Sequence, residues 1–109
     1  MFEKRRAKLV TATAQAAASA ADAAIESATR AKADVRSEEP AILRDLRLGH
    51  AACDLFNAAE RAYWSAEDAG VAALIATDDQ VAIAAATAAA EASEAAERAY
   101  AALGSIENA

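Results

Sequence analysis

The chain has very few residues that break a helix or staple a small domain. In 109 residues there are three glycines, one proline and one cysteine. A single cysteine cannot form an intramolecular disulfide, which excludes the disulfide-stapled class of secreted domains. Aromatic residues make up only 5% of the chain and runs of β-branched residues are absent, which disfavours a β-sheet fold.

Long apolar runs are missing as well. The longest uncharged stretches, 9–21 and 80–90, are too short and too weakly apolar to span a bilayer, and no secretory signal is visible. We therefore expect no transmembrane segment and a cytoplasmic protein or a component of a phage particle.

Alanine dominates what remains, with 38 residues. Alanine is the best helix former because it loses no side-chain entropy, but it contributes only one methyl group to a core. Buried apolar surface contributes roughly 25 cal/mol per Å², and alanine buries little of it. The burial free energy of such a core is therefore low for a domain of this size. Close helix packing or association with other chains would compensate, so we expect association to be the working mode.

The charge is unevenly distributed. The net charge is −6, but residues 1–8 contain four basic residues and one acidic residue, which leaves −9 on the remainder. An acidic body disfavours nucleic-acid binding by the fold itself. Only the short basic N-terminal segment could contact phosphate or an anionic membrane surface, through Lys4, Arg5, Arg6 and Lys8. The alternative, which we favour, is a solvated helix end.

Three segments carry the spacing of buried helical stripes. Steps of four and three residues keep one side of a helix in register. The spacing predicts an all-α, single-domain protein (1–109), an antiparallel bundle or elongated rod of three Ala-rich helices at about 2–36, 38–69 and 78–103. The bulky second helix is expected between two Ala-faced helices. The similar stripes of the first and third helices either serve close antiparallel packing or resemble each other by chance, because alanine is so common. The stripes are Val10, Ala14, Ala17, Ala21, Ala24, Ala28, Ala31 and Val35 in the first segment, Leu48, Ala52, Leu55, Ala59, Ala62, Ala66, Ala69 and Ala73 in the second, and Val81, Ala85, Ala88, Ala92, Ala95, Ala99, Ala102 and Ile106 in the third.

Local signals mark the expected helix ends. Ser37 is the predicted N-cap of the second helix, with two glutamates in its first turn. That helix either stops at Gly70 or continues to about Ala76. Thr77 and Gln80 form a predicted capping box at the start of the third helix. Gly104 is the expected terminator of that helix.

Few residues offer chemistry. His50 and Cys53 are three apart on one helical face, but no Glu-x-x-His pair, calcium loop or glycine-rich phosphate loop accompanies them. Glu91, Glu94 and Glu97 are interpreted as a solvated face, supported by an ion pair from Glu94 to Arg98. We expect no cofactor, no metal and no small-molecule substrate.

The aromatic residues Phe56, Tyr63, Trp64 and Tyr100 are the candidate interaction residues. Tyr63 and Trp64 are adjacent, so both cannot point to the centre of one stripe. Either one of them is exposed and available to a protein partner, or both are half-buried between helices. Trp64-Ser65-Ala66 lacks the glycine of the Trp-x-Gly turn of small secreted helical hairpins, and no family is assigned from the motifs.

The leading hypothesis is a non-catalytic assembly or interaction protein that self-associates or docks in a larger complex. The alternative is a phage-type accessory protein, either a virion component or an acidic inhibitor of a host complex that occupies a basic surface. An enzyme built on His50 and Cys53 is not expected.

Overall fold

Three long helices make up almost the whole described chain. A computed structural model describes residues 2–34 and 38–108. In chain order the helices are α1 (Phe2–Ala33), α2 (Ala41–Ile75) and α3 (Asp79–Glu107). Within these ranges no strand is present, which confirms the all-α prediction.

The bundle is a rod. Its principal extents are 59 × 19 × 15 Å and its radius of gyration is 17.0 Å, whereas a compact domain of this length has about 13 Å. The helices run up, down and up, so α2 is antiparallel to both neighbours while α1 and α3 are parallel. Three α1–α3 contacts follow one another along the rod in the same order: Lys4 to Asp78, Asp22 to Arg98 and Lys32 to Ser105.

This parallel arrangement corrects the expected antiparallel packing of the two Ala-faced helices. All three helix pairs contact one another, so α2 does not lie between α1 and α3. In a bundle with two short connections the first and third helices must point the same way, and each stripe then meets both neighbours.

The core is built almost entirely from alanine. The described members of the predicted stripes face the centre of the bundle, with Ala14, Ala21, Ala59, Ala88 and Ala92 fully buried, and Val35 lies outside the described residues. Among the described residues Leu55 is the largest fully buried side chain. Alanine has no side chain beyond Cβ, so helices can approach closely where alanines face each other. The stripe spacing keeps the alanines on the inner side of each helix, where this approach occurs.

The second helix begins later than predicted. Its N-cap is Pro40, with no side-chain cap, and the Pro40 carbonyl accepts hydrogen bonds from the backbone N–H groups of Leu43 and Arg44. Proline disfavours helical geometry in the residue before it, so the preceding glutamates cannot form a first turn. The predicted N-cap Ser37 and the predicted last turn of the first helix at 35–36 lie outside the described residues.

Neither glycine ends its helix: the stop at Gly104 is wrong, and the second helix follows the longer alternative, to about Ala76, instead of the stop at Gly70. Helix α2 continues through Gly70 to Ile75, and α3 continues through Gly104 to Glu107, with no positive φ at either glycine. A glycine in a helix costs about 1 kcal/mol relative to alanine, which is too little to end a helix whose next turn still packs. Ala72 and Ile106, beyond these glycines, are buried and half-buried against the core.

The predicted N-cap of α3 is displaced by one residue, which puts Val81 at the N3 position where a capping box requires Glu or Gln. Asp78, not Thr77, is the N-cap of α3, and its Oδ1 accepts hydrogen bonds from the backbone N–H groups of Gln80 at 2.9 Å and Val81 at 3.1 Å. A carboxylate is favoured at this position because it also interacts with the positive end of the helix dipole. Lys4 of α1 reaches the same carboxylate at 3.4 Å.

Arg47 links the first turns of α2 to Glu39 and to α1 by hydrogen bonds. Arg47 Nη2 donates to Glu39 Oε2 at 2.7 Å, Nη1 contacts the other oxygen, and Nε donates to the Ala31 carbonyl of α1 at 3.3 Å. The hydrogen bonds with Glu39 raise the pKa of Arg47 above its ordinary value. Charged groups therefore add to the apolar contacts that hold this end of the rod.

Candidate interaction surface

The large apolar side chains of α2 lie mostly outside the core. Among the described residues twelve large apolar side chains are exposed, and nine of them belong to α2. The sequence suggested a wide apolar face on this helix, but the core uses only its alanine side and Leu55. We call the exposed side the outer face of α2, and its large apolar members are Ile42, Leu43, Leu46, Phe56, Tyr63, Trp64, Val71, Leu74 and Ile75.

The aromatic candidates cluster at the middle of this face. Tyr63 and Trp64 are both exposed, at 44% and 60%, and their rings meet edge to face with centroids 5.2 Å apart. Phe56 lies one heptad before Tyr63 on the same row of the helix, about 10 Å away. Of the two alternatives that the sequence left open, exposure is the one observed, and it applies to both residues.

Tyr100 connects α3 to this cluster. Its hydroxyl donates to Glu60 Oε2 at 2.6 Å across the α2–α3 boundary. This hydrogen bond, with some desolvation and the negative charge of Glu60, raises the pKa of Tyr100 to about 12. Glu60 was not singled out in the sequence, because the 40 residues that separate it from Tyr100 leave no local signal.

Two glycines interrupt the same face. Gly49 and Gly70 lie inside α2, and a Cβ added at either would meet no atom within 4 Å. Neither glycine is required by a close contact within the chain, and neither has a positive φ. Each leaves a shallow gap in the outer face.

The other sequence candidates are separate from this cluster. Lys4, Arg5, Arg6 and Lys8 are exposed at one end of the rod, where Lys4 is engaged by Asp78. An open groove of about 740 Å³ lies there between the start of α1 and the end of α2.

The residues with candidate chemistry lie on open helix surfaces. His50 and Cys53 are both exposed on α2, and in the described ranges no cluster of three His, Cys, Asp or Glu side chains could hold a metal ion. The three glutamates of α3 are exposed, as predicted for a solvated face. Arg98 donates to Asp22 of α1 at 3.0 Å instead of to its predicted partner Glu94, whereas Glu26 and Arg30, four residues apart on α1, form an ion pair at 2.9 Å.

No family model, curated protein or solved structure matches the chain. Over the described part of the chain, no helix is both long and apolar enough to cross a membrane. The outer face of α2 is therefore judged on its own geometry.

Proposed function

We propose that this chain is a non-catalytic helical interaction protein, which binds its own copies or a larger protein assembly through the outer face of α2. The observation that carries the proposal is the inverted placement of side chains. Alanines fill the interior, and large apolar residues line one exposed helix. A helix face that exposes many large apolar side chains is typical of protein-binding sites.

Energetics support binding as the role of this face. Burial of a Leu, Ile or Phe side chain is worth roughly 1.5–3 kcal/mol. Six such residues exposed on one helix, together with Tyr63, Trp64 and Val71, leave much of this free energy unused in the isolated chain. A micromolar complex needs a net of about 8 kcal/mol after the cost of association is met, so burial of many of these side chains would be needed.

The composition of the face also supports a protein partner. Trp and Tyr are enriched among the residues that dominate the binding energy of interfaces, and here Tyr63 and Trp64 lie side by side at its centre. The outer face is the exposed, convex side of a helix, whereas small-molecule sites are concave. His50 and Cys53 lie on this open surface and not in a cleft.

Site-specific crosslinking tests the proposal. A photoreactive phenylalanine analogue replaces Trp64 in one variant and Ser27, an exposed residue of α1, in a matched control. In cells that produce the full chain, we expect discrete crosslinked protein species from position 64 and none from position 27. Equal crosslinking from both positions, or none from position 64, would overturn the proposal.

A further inference from the structure

The occupant of the outer face can be identified from the order of residues along it. A row of ten positions runs from Leu43 to Leu74 in alternating steps of three and four, on the side of α2 opposite the buried stripe. We call this row the outer seam. Its members read apolar, apolar, polar, apolar, polar and then the same five classes in reverse order. A pattern that is identical in both directions is what antiparallel pairing with an identical helix requires.

We infer that the outer face binds a second copy of this chain, with the two α2 helices antiparallel about a two-fold axis near Ala58 and Ala59. This inference rests on the proposed function, because it names the partner of the same surface. A two-fold interface brings one patch against itself, so the patch must be self-complementary. In this register the numbers of facing residues add up to 117. The three apolar layers are Leu43 with Leu74, Leu46 with Val71, and Cys53 with Trp64.

The polar layers are complementary as well. His50 of one copy faces Glu67 of the other, and Asn57 faces Glu60. The imidazole and amide N–H groups can donate to the two carboxylates, and no layer opposes two charges of the same sign. Glu60 retains its hydrogen bond from Tyr100 in this arrangement, because a carboxylate accepts several donors. Polar layers inside an apolar seam fix the register of paired helices.

One edge of the seam carries matching charges. Asp54 and Arg61 are exposed, and neither forms an ion pair or hydrogen bond with another described residue. In an antiparallel pair the flanking positions meet when their numbers add up to 115, two less than in the central layers. Asp54 of each copy then faces Arg61 of the other, and the symmetry repeats this contact.

The opposite edge accounts for the glycines. Flanking positions on that side meet when their numbers add up to 119, which places Phe56 against Tyr63 and Gly49 against Gly70. The gaps at the two glycines, which no contact within the chain explains, then allow close approach of the two helices near both ends of the seam. The seam is about 46 Å long and only one helix wide. An interface of this size is small, so we expect a dimer that dissociates on dilution.

Charge reversal tests this register. The full chain is studied by sedimentation velocity over a hundredfold range of concentration, with the variants Asp54→Lys and Arg61→Glu. We expect the unaltered chain to dimerise and each variant to dimerise at least about tenfold more weakly, because two attractive contacts become repulsive. An equimolar mixture of the two variants should recover the affinity, since Lys at 54 then faces Glu at 61.

The controls separate this inference from the proposed function. Glu91→Lys, an exposed charge reversal on α3, should leave dimerisation unchanged, and circular dichroism should show that every variant is still helical. A chain that stays monomeric throughout, or a mixture that fails to recover affinity, overturns the two-fold pairing. In that case crosslinking of Trp64 to a different protein would leave the proposed function standing, whereas its failure would remove both.

Discussion

Replacement of Leu55 with alanine tests the alanine core most directly. Leu55 is 0% exposed, and the other fully buried members of its cluster are alanines. Leu→Ala changes in protein cores cost 2–5 kcal/mol, with the larger values where the surroundings cannot collapse into the cavity. Alanine has no side-chain torsion with which to fill a void. We therefore expect a loss of about 3–5 kcal/mol from the free energy of unfolding.

The assay is urea unfolding followed by circular dichroism at 222 nm, at a concentration where the chain is monomeric. A loss of this size corresponds to a fall in Tm of roughly 12–20 °C at about 4 °C per kcal/mol. Leu9→Ala is the control, because Leu9 is 68% exposed on α1 and should change stability by less than about 0.5 kcal/mol. If Leu55→Ala costs less than about 1 kcal/mol, or if both changes cost the same, the account of the core is wrong.

Two further predictions concern Asp78 and Tyr100, whose hydrogen bonds shift their pKa values. Asp78→Ala should lower Tm at pH 7, and the difference from the unaltered chain should shrink in thermal melts below pH 3.8. The hydrogen bond from the Val81 N–H lowers the pKa of Asp78, so this contribution is present above pH 3.8 and is lost as the pH falls through the folded pKa; an undiminished difference at pH 2 would contradict this. Absorbance at 295 nm should show one tyrosine that ionises at about pH 12, and Glu60→Gln should return the pKa of Tyr100 towards 10.0. Because the pKa is raised on folding, the stability from this contact should disappear between pH 10 and about pH 12, and a pKa of Tyr100 that Glu60→Gln leaves unchanged would refute it.

Helix number and the buried stripes could be predicted because they depend on periodicity. Alanines separated by alternating steps of four and three residues mark the inner side of each helix. Ala17 and Ala95 are buried in the structure, as this spacing requires. The rod shape follows from helix length. These features need only local propensity and a repeated pattern along the chain.

Helix ends and side-chain partners could not be predicted in the same way, because they depend on competition between neighbours. Asp78 displaces Thr77 as N-cap since its carboxylate also attracts Lys4 from another helix. Gly70 looked like a stop, but the turn after it packs on the core. The contact of Tyr100 with Glu60 depends on how α2 and α3 are placed in space.

A core of alanine has a consequence for how the sequence can change over time. In an ordinary interior, a side chain can be enlarged or reduced while its neighbours rotate into other rotamers. Ala14, Ala59 and Ala92 have no rotamers, and their helices already lie close together. A larger residue at such a position must push two helices apart along the rod, and glycine weakens the helix. Inherited variation is therefore expected to accumulate on the outside of this bundle and to be scarce in its interior.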